Sequence, residues 1–157
     1  MRLAVLASLV LSLGLPPAHA ELPVLADPDH AAMLASADPQ LAANKRLVYD
    51  FWREVFEARQ LERAAHYLHP DYRQHNPMVG TGLAGFLKAF AGATPKPVQA
   101  RVQAPLVTVV AERDLVMLSF VAQRQDSAGQ AYTTTWFDLF RVQDGKITEH
   151  WDGALKR

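Results

Sequence analysis

From residue 38 the apolar positions of the chain recur every three to four residues. Leu41, Leu47, Val48, Phe51, Trp52, Val55 and Phe56 fall on one stripe, and Lys45, Arg46, Arg53 and Glu54 fall on the opposite face. Asp38-Pro39 marks the start of this helix, with a capping carboxylate followed by proline at the first helical position. A second short helix is predicted over 61–68, stopped by Pro70, and a third over 83–90. From Val98 the period drops to two. Strands are predicted over 98–111, 115–125, 130–142 and 146–152, joined by connections short enough for antiparallel hairpins. Asp144-Gly145 is the clearest turn signal. Pro105 cannot donate to a ladder, so the first long strand must lie at an edge or carry a bulge there. Helices followed by a run of hairpins define an α+β fold, not a parallel α/β sheet.

The start of the chain has a different pattern. Met1-Arg2 precedes an apolar run over 3–15, Pro16-Pro17 breaks it, and Ala18-His19-Ala20 follows as a small-residue cleavage pattern. This predicts a signal peptide over 1–20 and a periplasmic or secreted product. The apolar run is too short to span a bilayer core of about 30 Å comfortably, so no membrane attachment is expected after cleavage. Residues 21–37, with Pro23 and Pro28, are expected to form a flexible arm with at most one helical turn near 31–35. Residues 38–157 then make a single domain.

Composition narrows the chemistry. The 157 residues are 50% hydrophobic and 20% charged, with 16 basic and 16 acidic side chains, which is globular and electrically balanced. Balance argues against nucleic acid as a partner. The absence of cysteine excludes disulfides, thiol nucleophiles and Cys-ligated zinc.

Two motifs are weak on inspection. Gly80-Thr81-Gly82-Leu83-Ala84-Gly85 matches a dinucleotide fingerprint letter for letter, but it lacks the preceding strand and the downstream acidic residue, so its glycines are read as loop and helix-start residues. His66, His69 and His75 have no carboxylate at helical spacing, and no metal site is expected. The informative residues are polar groups within apolar strands. Asp138 alternates with Trp136 and Phe140, which places a carboxylate in an apolar wall, where desolvation raises its pKa toward the range of a useful base. The same pattern also fits a structural Asp bonded to backbone or to an arginine. In the last strand His150 and Asp152 share one face by parity, with Ile147 and Trp151 on the other. Gln74-His75-Asn76 before Pro77 presents three hydrogen-bonding side chains in a short extended stretch, and equally fits a capped turn.

Taken together, Tyr72-Arg73-Gln74-His75-Asn76-Pro77, the run from Phe137 to Val142 and the run from Asp144 to Asp152 resemble SnoaL-like proteins. These belong to the nuclear transport factor two-like superfamily, which includes ketosteroid isomerase. The resemblance covers about residues 40–153. It implies a conical barrel, a curved antiparallel sheet wrapped around N-terminal helices, with an internal apolar pocket and often a homodimer. It also implies a cofactor-free acid/base reaction, an aldol condensation, cyclisation or isomerisation, on a small apolar carbonyl compound. Asp138 best matches the family's pocket Asp. On this reading Asp138 and His75 are the catalytic candidates, and Gln74, Asn76, Trp136, His150 and Asp152 are the substrate-binding candidates. The alternative expectation is a non-catalytic periplasmic binding domain for a small hydrophobic ligand.

Overall fold

A computed structural model describes residues 22–156, so the leader expected over 1–20 lies outside the described residues. Helix α1 (His30–Leu34) is capped by Asp29, and helix α2 (Pro39–Phe51) by Asp38, whose carboxylate accepts from the amides of Gln40 and Leu41. The stretch before α2 is held in place. Val24 N–H donates to Thr133 Oγ1, Asp27 N–H donates to the Leu106 carbonyl, and Met33 and Leu34 are buried, so the expected loose arm packs against the sheet.

Helix α2 winds directly into a π-helical turn over Trp52–Glu57, closed by Ala58 N–H to the Arg53 carbonyl at 3.2 Å. The wider winding changes which side chains face inward. Glu54, expected on the solvated face, is instead buried. It accepts from the Tyr67 hydroxyl at 2.6 Å and pairs with Arg53 and Arg63. Val48, Phe51, Trp52 and Val55 remain core residues as the stripe predicts.

The segment predicted as one helix over 61–68 is three pieces. A 3-10 turn (Leu61–Arg63) and a single helical turn α3 (Ala64–Tyr67) lead into strand β1 (Leu68–Gln74), which runs straight through Pro70. Proline is tolerated there because β1 lies at the sheet edge and its ladder is interrupted between Leu68 and Arg73. Helix α4 (Gly82–Phe90) follows. A Cβ on Gly85 would collide with the Gly80 carbonyl oxygen, which accounts for that glycine as a close approach between helix α4 and the loop before it.

The first long strand also starts later than predicted, at Leu106 instead of Val98. Backbone donors before it are taken by side chains from the helical layer: Val102 N–H by the Tyr49 hydroxyl, and Gln103 and Ala104 N–H by the two oxygens of Glu57. With those donors already engaged, the segment runs as an irregular strap. Strands β2 (Leu106–Glu112), β3 (Leu115–Gln125), β4 (Ala131–Gln143) and β5 (Lys146–Asp152) then pair antiparallel, and β1 adds to β5 in parallel. The sheet order is β1-β5-β4-β3-β2, curved and unclosed. Asp144 and Gly145 both take positive φ, as a two-residue hairpin turn of the primed type requires.

Strand parity places Val116, Leu118 and Phe120 of β3 and Asp138, Phe140 and Val142 of β4 on the inner face, under α2. On β5 the parity breaks. Arg141 pairs with Glu149 but Val142 pairs with Ile147, so one residue of β5 is bulged out. The bulge brings Ile147 inward on the same side as His150, contrary to simple alternation. Glu149 and Trp151 remain on the outer face. Among the described residues no helix is long and apolar enough to cross a membrane.

Candidate functional site

The concave face of the sheet and the helical layer enclose a cavity of about 560 Å³. Phe51, Trp52 and Phe56 of the helix and π-turn, Phe86 and Phe90 of α4, and Phe120 of β3 give it apolar walls. Polar side chains line it in two places: Gln123 and Arg124 toward the end of β3, and a denser group of Tyr72 and Gln74 from β1, Asn76 just beyond, Asp138 from β4, and His150 and Asp152 from β5.

Sheet register explains the convergence. Asp138 lies opposite Leu118 on one side and Asp152 on the other, while His150 lies opposite Phe140 and, across the parallel pair, Gln74. The Asp138–His150 contact is therefore a diagonal between β4 and β5. His150 Nε2 stands 3.0 Å from Asp138 Oδ1, and its ring stacks on Phe140 with centroids 4.6 Å apart.

Protonation in the denser group can be traced from one unambiguous donor. The backbone N–H of Asn76 donates to Gln74 Oε1 at 2.8 Å, which fixes that atom as the amide oxygen. His150 Nδ1, 2.9 Å from the same oxygen, must then carry a hydrogen. A single further proton is shared between His150 Nε2 and Asp138 Oδ1: either the pair is neutral or it is an ion pair. The Gln74 amide nitrogen donates to the Tyr72 hydroxyl at 2.7 Å, leaving the phenol's own proton uncommitted among the described residues. Burial, and then the nearby carboxylates of Asp152 and Asp138, push the Tyr72 phenol well up, so it stays a neutral donor.

Asp138 is only 3% exposed. Burial raises its pKa; the hydrogen bond and charge of His150 oppose this without cancelling it, and Asp152 reinforces it. The Trp136 indole favours the charged form from outside hydrogen-bonding geometry, and Asp138 Oδ2 is left with no partner. A buried carboxylate oxygen in that state is expensive unless something else uses it.

Asp138, His150 and Asp152 each offer a ligand atom, all within 4.8 Å of one another, and could together meet a cation. Most of those atoms are already engaged, however. Asp152 Oδ2 accepts from Asn76 Nδ2 at 2.6 Å, Asp152 Oδ1 accepts from Ala154 N–H, and His150 uses both ring nitrogens. His66, His69 and His75 form no such group among the described residues.

Gln74, Asn76, Trp136, Asp138, His150 and Asp152 thus line one cavity, but His75 does not. The extended chain turns the His75 side chain to the outer face, where Nε2 meets Glu149 Oε1 at 2.8 Å and the ring stacks on Trp151 at 5.1 Å. Tyr72 escapes the sequence reading because Pro70 ends the predicted helix and no strand is predicted over 68–74. Alternation through 72, 74 and 76 was the signal that could have found it.

A cone of helices over a curved sheet with an apolar pocket is the nuclear transport factor two-like architecture. The SnoaL-like domain matches residues 48–150, and the chain belongs to that family. Two similar solved structures are a proposed SnoaL-like polyketide cyclase from Jannaschia sp. CCS1 and AclR, a proposed hydroxylase from Streptomyces galilaeus. The first is 16% identical over 76% of this chain and 91% of its own, with a TM-score of 0.51. The second is 22% identical over 74% of this chain and 92% of its own, also at 0.51. No curated protein matches the sequence.

Proposed function

We propose that the chain is an exported, cofactor-independent acid/base enzyme of the cyclase or isomerase type, acting on a small apolar carbonyl compound. The observation that carries this reading is Asp138, a carboxylate buried in an aromatic pocket with one oxygen on His150 and the other unpartnered. In the ion-pair form, Asp138 Oδ2 takes the proton α to the substrate carbonyl while His150 Nε2–H holds Oδ1. The free O–H of Tyr72 meets the developing enolate oxygen, and the aromatic walls hold the carbon frame. Family membership and the Jannaschia neighbour's proposed cyclase role support carbon-acid chemistry of this kind. The leader pattern over 1–20 supports export; intact mass of protein recovered outside the cytoplasm should show loss of those residues.

The test does not need the native substrate. A small ketone such as 2-tetralone, incubated with the protein in D2O, reports α-proton abstraction as loss of its proton NMR signal. The wild-type protein should accelerate exchange, and Asp138→Asn should lose about 10²–10⁴-fold of that acceleration. If 2-tetralone binds but exchanges no faster than in buffer, the binding-domain reading replaces this one.

A further inference from the structure

Among the described residues, three buried side-chain polar atoms lack a hydrogen-bond partner: Asp138 Oδ2, Trp52 Nε1 and Arg59 Nη1. The first belongs to the pocket already described. The other two are donors, and both residues line a second cavity of about 640 Å³ between the π-turn and the strap before β2. Trp52 is 7% exposed, so its indole N–H is a buried donor with nothing to donate to.

The charges around this cavity leave an acceptor wanting. Glu57 lines it, but both its oxygens already receive the backbone N–H groups of Gln103 and Ala104. Arg53 is committed to Asp50, Glu54 and the Gln99 carbonyl. Arg59 and Lys96 make no ion pair among the described residues. The Arg59 guanidinium instead lies over the rings of Phe56 and Phe90, at 4.9 and 4.8 Å, and desolvation by burial weakens its hold on its proton. Its backbone sits at φ 58°, just past the π-turn, where a left-handed residue is usually glycine. A long cationic side chain is thus held at a conformational cost beside this cavity, and Trp52 is part of the wall that the two cavities share.

We propose that this second cavity binds the carboxylate of a small organic acid, with Arg59 as counter-ion and Trp52 Nε1–H as a second donor. The apolar body of the acid rests on Phe56, Pro97 and Ala104. A guanidinium offers paired donors in the planar arrangement a carboxylate accepts, which lysine does not reproduce.

Isothermal calorimetry with 1-naphthoate and its neutral isostere 1-naphthamide tests this directly. The wild-type protein should bind naphthoate at least about tenfold more tightly than the amide. Arg59→Gln should abolish that preference while leaving amide binding in place. Should Arg59→Gln not fold, Arg59→Lys decides: a preference reduced about threefold or more supports the site, and an unchanged one overturns it. Asp138→Asn should leave the preference intact, which separates this site from the proposed reaction. Equal affinities for the two probes, no naphthoate binding, or a preference surviving in folded Arg59→Gln would each overturn the proposal.

Discussion

A carboxylate–histidine pair lies on each face of the sheet. Inside are Asp138 of β4 and His150 of β5; outside are Glu149 of β5 and His75, just past the end of β1. Both carboxylates are buried against the sheet, and the two contacts are of similar length, 3.0 and 2.8 Å. Their electrostatics are nevertheless opposite. Around Asp138 burial dominates and no second cation answers it, so its pKa rises. For Glu149 burial alone would also raise it, but the His75 and Arg141 hydrogen bonds and the charges of Arg73 and Arg141 outweigh burial and hold it below the usual carboxylate range. Trp151, stacked on His75 and facing the Arg141 guanidinium at 5.5 Å, seals the outer group. A histidine partner therefore does not set the direction of the shift. The number of other donors around the carboxylate does.

Substitutions can break that contrast. Asp138→Asn should lower turnover about 10²–10⁴-fold with ligand affinity nearly unchanged, whereas Glu149→Gln should leave turnover within about threefold. Equal losses in the two variants would erase the distinction between the faces. Tyr72→Phe, which removes the uncommitted phenol proton, should cost about 10²-fold in kcat; an unchanged kcat would take Tyr72 out of the mechanism.

The pH dependence of stability sharpens the comparison with a smaller effect. Glu149 has a depressed pKa in the folded protein, so its contribution is present above its unfolded pKa and is lost as pH falls through the folded one. The melting-temperature deficit of Glu149→Gln should accordingly be largest near neutral pH and shrink in acid. Asp138 has a raised pKa, so its contribution is present below its unfolded pKa and is lost as pH rises through the folded one. Asp138→Asn should therefore gain on the wild-type protein as pH rises, and melting scans across pH would show the two trends crossing. His75→Ala should have the least effect on catalysis, with exchange of 2-tetralone unaltered. A clear loss would mean that the outer face reaches the reaction.

The parts legible in the sequence were those governed by short-range pattern. The helix stripe at Val48, Phe51 and Val55, the hairpin at Asp144-Gly145 and the inward parity of Asp138 all follow from period and turn chemistry. What escaped depends on departures from period. The π-turn reverses the expected exposure of Glu54, and the β5 bulge moves Ile147 inward. Pro70 masked β1, because a proline mid-strand is acceptable where the neighbouring ladder is interrupted. That omission hid Tyr72 and left the direction of His75 unspecified. The start of β2 was misplaced for another reason: Tyr49 and Glu57, distant in sequence, take the amides a strand would have needed.

The central claim is that these two carboxylates are tuned in opposite directions by their surroundings, and it can be read without any substrate. Carbon-13 NMR of the side-chain carboxyl groups, followed through a pH titration of one sample and assigned with the Asp138→Asn and Glu149→Gln variants, gives both midpoints together. The account predicts Asp138 titrating above the ordinary aspartate range and Glu149 below the ordinary glutamate range. An Asp138 midpoint at or below the ordinary range would contradict it, because a carboxylate that already prefers its charge gains little from taking a proton.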